Sequence, residues 1–106
     1  MGTQMGEFTM IDSKRRLYIP RSVCKLYEIN KKELMEISVE YGWLCIQKFD
    51  SKVDISKRPY TGIVRWFYPR NRIGIPEEFC DLLGINEDVS LEINLNDPNK
   101  IRFRKC

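Results

Sequence analysis

Histidine is absent from this chain, and that absence removes the side chain best suited to acid–base work near neutral pH. Any catalytic chemistry would fall to carboxylates or lysines, yet no paired carboxylates, metal-ligand cluster or phosphate-cradling glycine loop stands out, so the reading is of a protein that is not an enzyme. Four cysteines (Cys24, Cys45, Cys80, Cys106) lack any C-x-x-C spacing and have no histidine to complete a zinc set; they read as core or incidental thiols, with no metal and no cofactor. Long apolar runs are missing too, which excludes a membrane-spanning helix. The opening residues Met1-Gly-Thr-Gln-Met-Gly show neither a basic nor an apolar leader segment, so a cytoplasmic location is expected.

What is present is globular in balance: 106 residues, 42% hydrophobic and 31% charged. Two halves of such a chain are each too small to bury a core alone and must cooperate. The net charge of +3 is too mild to name a partner. Its distribution is uneven, with 11 Lys/Arg against 8 Asp/Glu in residues 1–58 and 7 against 7 in residues 59–106.

The sequence repeats itself at a spacing of 56 residues. Gly6 matches Gly62, Arg16 matches Arg72, Ile19-Pro20 matches Ile75-Pro76, Cys24 matches Cys80, and Leu26 matches Leu82. Ile29-Asn30 and Glu36-Ile37 recur as Ile85-Asn86 and Glu92-Ile93. Chance would give about three identities over such an overlap. The last hairpin slips by one residue, because Glu40-Tyr41-Gly42-Trp43 is answered by the longer Asn96-Asp97-Pro98-Asn99-Lys100.

Each copy reads as hairpin, helix, hairpin. Alternation in the first strand points Phe8 and Met10, or Val64 and Trp66, toward the core, which makes Trp66 a packing residue rather than a stacking platform for single strands. The second strand ends in Leu17-Tyr18-Ile19-Pro20 or Ile73-Gly74-Ile75-Pro76, where proline suits the start of a helix. Short helices follow over about 20–27 and 76–83, with Val23, Leu26 and Tyr27, or Phe79, Leu82 and Leu83, at helical spacing. Gly84 closes the second as a left-handed cap; Glu28 stands at that place in the first, which is expected to end differently. Asn71 suits a turn with positive φ, and Arg15 does so less easily. Then come Met35, Ile37, Val39 and Leu91, Ile93, Leu95 in strict alternation, and strands holding Leu44 and Ile46, or Ile101 and Phe103. The halves fall at 6–49 and 61–106, joined by a polar linker at 50–60, and are expected to form one folded domain.

In this order, Thr61-Gly-Ile-Val-Arg65, Asn71-Arg72-Ile-Gly-Ile-Pro76, Leu83-Gly-Ile85 and Leu91-Glu-Ile93 resemble the AbrB/MazE/SpoVT family of swapped-hairpin DNA-binding domains. The first copy keeps Arg16-Leu-Tyr-Ile-Pro20, Tyr27-Glu-Ile29 and Met35-Glu-Ile37. The resemblance implies a mainly-β fold: a swapped-hairpin β-barrel of the AbrB type with one short helix per repeat, formed as a pseudo-dimer within one chain. It also implies arginines near the first hairpin and the helix that approach double-stranded DNA. Arg16 and Arg72 hold the family's second-strand position and Arg65 that of the T-G-I-V-R motif, whose counterpart in the first copy is Thr9. Lys14, Arg15 and Arg70 are basic turn residues, and Arg21 and Lys25 lie on the first helix, so all eight are candidate DNA contacts. The family's basic helix pair becomes Cys80-Asp81 in the second copy, with Glu77 and Glu78 ahead of it, so the first copy is expected to dominate DNA contact. The function implied is a transcription regulator; a protein-interaction module, such as an antitoxin or a self-associating assembly subunit, is the second reading.

Overall fold

The computed structural model describes residues 7–30, 32–49, 63–67 and 69–106. The stretch assigned to the linker lies outside these residues, as do Gly62 and Tyr68. Among the described residues, eight strands and two α-helices follow one another as β1 (Glu7–Met10), β2 (Arg16–Tyr18), α1 (Arg21–Leu26), β3 (Leu34–Glu40), β4 (Trp43–Lys48), β5 (Ile63–Trp66), β6 (Arg72–Gly74), α2 (Glu77–Leu83), β7 (Ser90–Asn94) and β8 (Ile101–Lys105). The chain is mainly β, as expected. No described helix is long and apolar enough to cross a membrane.

The pairing is reciprocal between the halves. One six-stranded antiparallel sheet has the order β1-β7-β8-β4-β3-β5, and a separate two-stranded ribbon joins β2 to β6. The first strand of each half therefore adds to the other half's sheet. Glu7 to Met10 face Ile93 to Ser90 in β7, and Ile63 to Trp66 face Ile37 to Leu34 in β3, in the same register once the repeat spacing is applied. Two pairs oppose equivalent residues and so mark a pseudo-twofold axis: Leu17 with Ile73 in the ribbon, and Cys45 with Arg102 between β4 and β8. The second pair absorbs the one-residue slip. Among the described residues the expected closed barrel is not found: β1 and β5 lie at the two edges of the sheet, and the first hairpin meets the ribbon through the bridge of Ile11 with Leu17 and the hydrogen bond from the Thr9 hydroxyl to the Tyr18 carbonyl.

The core lies between sheet and ribbon and draws on both halves. Leu17, Ile19, Ile73 and Ile75 enter from the ribbon side, Val23, Cys24, Phe79 and Cys80 from the helices, and Met35, Ile37, Leu44, Ile46, Leu91, Ile93, Ile101 and Phe103 from the sheet. Each buried aliphatic or aromatic side chain contributes about 1.5–3 kcal/mol by leaving water, so this shared layer holds the halves together.

Three expectations fail in detail. In β1 the alternation runs in the opposite phase, with Thr9 buried and Phe8 and Met10 more than half exposed; β5 does not alternate at all, since Ile63 and Val64 are half-buried while Arg65 and Trp66 are exposed, Trp66 at 52%. The pairing of Thr9 with Leu91 and the bridge from Ile11 to Leu17 bring the odd positions to the core, and Phe67 is the aromatic that is buried. In the helices, Leu26 and Leu82 face solvent at 64% and 70% exposure, and Cys24 and Cys80 take the inward places. The first helix also does not end differently. Glu28 adopts φ 55° where Gly84 adopts φ 66°, and the same hydrogen bonds close both ends, from Ile29 N–H to the Cys24 carbonyl and from Ile85 N–H to the Cys80 carbonyl, each 2.9 Å.

Candidate nucleic-acid interface

The ribbon is the centre of the site. With Leu17 and Ile73 turned into the core, alternation sends Arg16, Tyr18, Arg72 and Gly74 to the opposite face. Arg16 sits across from Gly74 and Tyr18 across from Arg72. The two arginines, 41% and 38% exposed in their side chains, converge on one carboxylate. Asp12 Oδ2 accepts from Arg16 Nε at 2.8 Å and from Arg72 Nη1 at 3.3 Å, while Oδ1 accepts the backbone N–H groups of Lys14 at 2.8 Å and Arg16 at 2.9 Å. Partial burial pushes the Asp12 carboxyl upward, but the hydrogen bonds from the Arg16 and Lys14 backbones and the Arg16 guanidinium outweigh it and hold the group below its ordinary value of 3.8. One carboxylate is thus shared by two guanidinium groups, both of which keep exposed surface.

The remaining expected contacts divide between two flanks, and the division crosses the halves. Each helix abuts the turn of the other half: Ile19 N–H donates to the Asn71 carbonyl at 2.8 Å, and Ile75 N–H donates to the Arg15 carbonyl at 2.8 Å. On the α1 flank, Arg21 and Lys25 share a cleft of about 660 Å³ with Asn30, Phe67 and Asn71. Arg70 is exposed in the 3-10 turn Pro69–Asn71, held at φ 67°, and Lys32 is tied to Phe67 through its N–H, 2.9 Å from the Phe67 carbonyl. Arg65 is exposed on β5, with Nη1 3.3 Å from the Val64 carbonyl. Glu28 also lines this cleft; Glu33 nearby is engaged by Lys48 at 3.5 Å.

The α2 flank inverts this chemistry. Glu77, Glu78 and Asp81 are exposed on α2, and Arg15 is drawn to Glu77 at 3.4 Å, leaving Lys14 as the exposed turn cation. A second cleft of about 640 Å³ beside the ribbon is lined by Thr9, Asp12, Ser13, Arg16, Tyr18, Arg72 and Glu87. Arg16, Arg72, Arg65, Lys14, Arg15, Arg21, Lys25 and Arg70 are thus all partly or fully exposed, and among the described residues only Arg16 and Arg72 meet at a common partner. Sequence reasoning missed that partner. Asp12 opens the turn Asp12-Ser-Lys-Arg, a place where aspartate caps its own backbone, and this was the available signal. The basic residues group by flank rather than by copy, since the basic side combines α1 with residues of the second copy's first hairpin.

Burial pushes the Cys24, Cys45 and Cys80 thiols up, and Cys106 is exposed at the chain end.

No protein-family profile matches the chain, and neither does any curated protein sequence. Among solved structures, the solution structure of PHS018 from Pyrococcus horikoshii is similar over 100% of this chain and 92% of that one, with a TM-score of 0.51 and 17% sequence identity. At that identity the likeness concerns the fold alone.

Proposed function

We propose that this chain binds double-stranded DNA through the β2–β6 ribbon and the basic groups beside it, acts as a transcription regulator in the cytoplasm, and is not an enzyme. One observation carries the reading: two repeat-equivalent arginines side by side on the outward face of a two-stranded ribbon, fixed by Asp12 and still exposed. A ribbon of this width fits the major groove, and arginine forks onto guanine or phosphate. Arg16 and Arg72 then lie nearest the bases, and Arg65, Arg70, Arg21, Lys25, Lys14 and Arg15 supply phosphate contacts to differing degrees. The reciprocal exchange of first strands between the halves supports the AbrB-type swapped-hairpin reading of the fold. A protein-interaction role is the second reading, favoured by the acidic α2 flank.

The test is fluorescence anisotropy with a labelled duplex at two salt concentrations, comparing the chain with the Arg16→Ala, Arg72→Ala variant. Binding that falls steeply with salt, and falls about a hundredfold or more in the variant, is the expected result. Binding absent at low salt, or indifferent to both substitutions, removes the DNA reading and leaves the protein-partner one.

A further inference from the structure

The repeat equivalences sort the surface beside the ribbon into opposite charges on the same backbone. Arg21 is replaced by Glu77, Lys25 by Asp81, Lys32 by Asp88 and Arg65 by Thr9, each exposed in the flank where it stands except Thr9, which is buried with its hydroxyl donating to the Tyr18 carbonyl. The ribbon is unequal as well. Tyr18 projects where its equivalent, Gly74, leaves open space above the backbone. Arg15, the one cation that the α2 flank has where the α1 flank has asparagine, is paired to Glu77. Asp12 has Tyr68 as its equivalent, so the shared carboxylate belongs to one side only.

A dimer of identical chains presents two identical half-surfaces, and its DNA site mirrors that twofold symmetry. Here the backbone keeps the twofold relation while the charges reverse it. Phosphates beside the α1 flank meet Arg21, Lys25, Arg65 and Arg70, with Glu28 in the same cleft; phosphates beside the α2 flank meet Glu77, Glu78, Asp81 and Glu87, with Lys14, the like-signed equivalent of Arg70, in the turn. Each phosphate neutralised by a lysine or arginine releases counterions, and each acid held against the DNA backbone works in the opposite direction. Resting on the DNA reading above, we infer that the recognised DNA lacks dyad symmetry: the protein binds in one orientation, the α1 flank closing on one half-site and the α2 flank held away from the other.

Selection from random duplexes tests this, followed by affinities for two palindromes built by duplicating each half of the selected sequence. The expected selection is a site without dyad symmetry. The palindrome that repeats the half under α1 keeps its affinity within about twofold, and the one that repeats the other half loses about tenfold or more, the loss that one or two wrong base contacts produce. An Arg21→Ala, Lys25→Ala variant, checked for folding by circular dichroism, loses most on the first palindrome and little on the second. Conversely, Glu77→Arg, Asp81→Lys, Glu87→Lys copies the basic flank onto the acidic one and lets both palindromes bind. A palindromic selected site, or equal affinity of the two palindromes, overturns the inference while leaving DNA binding intact. Failure to enrich any duplex overturns DNA binding itself.

Discussion

The two flanks of the ribbon share one backbone and differ in almost every exposed charge. Their equivalence is held by buried positions: Ile19 and Ile75, Cys24 and Cys80, Ile29 and Ile85, Ile37 and Ile93 are identical in both copies and buried in the common core. Outside the core nothing in the packing ties Arg21 to Glu77 or Lys25 to Asp81, since exposed helix positions tolerate either sign at little cost in stability. Duplication thus supplied a symmetric scaffold, and the solvent-facing residues carry the asymmetry. Leu26 and Leu82, and Asn30 and Asn86, are also exposed and identical in both copies, but Arg16 and Arg72 are the charged pair among such positions, and they are joined at Asp12. An exposed pair kept alike by no core contact is where a ligand contact common to both copies is to be sought.

Reversing the charges of α1 breaks the comparison most severely. Arg21→Glu with Lys25→Glu makes the two flanks alike and acidic, and DNA affinity at low salt is expected to fall about a hundredfold, with the slope of log affinity against log salt reduced by about two. Thermal unfolding of the variant should be nearly unchanged, because both side chains are solvent-exposed. The same two substitutions placed on α2, Glu77→Arg and Asp81→Lys, should move affinity upward, and anisotropy titrations of both variants against one duplex measure the contrast directly.

Much of this was legible in the sequence, and the parts that were not have physical reasons. The repeat, both helices and the β3–β4 turn at Tyr41-Gly42, where both residues take positive φ, follow from proline, glycine and alternation. The phase of β1 does not, because Phe8 and Met10 offer apolar groups to one face while Ile11, just beyond the strand, offers one to the other, and the pairing with β7 and the bridge to Leu17 choose between them. Helices of six and seven residues are likewise too short for periodicity to separate Leu26 from Cys24, and cysteine packs as a small hydrophobe. The eight candidate cations could be named from the chain. Their grouping could not, since it depends on each helix meeting the other half's turn, and the ion pair from Arg72 to Asp12 spans 60 residues.

A smaller effect sharpens the role of Asp12, the carboxylate that one arginine of each copy shares. Asp12→Asn keeps an oxygen to accept the Lys14 and Arg16 N–H groups and removes the negative charge between the two guanidinium groups. Affinity for DNA should rise severalfold at low salt, by roughly the contribution of one neutralised charge. The sign for stability is opposite. Because the folded-state carboxyl is held below its ordinary value of 3.8, its contribution is fully present above that pH and is lost as pH falls through the lowered value. Unfolding midpoints of the parent should therefore decline more steeply than those of Asp12→Asn between about pH 4 and pH 2, and parallel pH profiles would remove Asp12 as the organiser of the turn.

The smallest effect lies at the helix ends, where Glu28 and Gly84 occupy the same left-handed conformation. A side chain there crowds its own carbonyl and costs about 1 kcal/mol, which glycine avoids. Glu28→Gly should accordingly stabilise the α1 flank by up to about 1 kcal/mol, less what the freer unfolded chain takes back. The mirror change, Gly84→Ala, should destabilise by a similar amount, since an added Cβ brings the same backbone strain and meets only the flexible end of Lys105, at 3.1 Å. Urea midpoints at constant slope measure both. Equal and opposite shifts would mean that the two flanks, so different in charge, are governed by one backbone requirement; a shift at Gly84 without its counterpart at Glu28 would mean that contacts of the Glu28 side chain in the α1 cleft offset the strain.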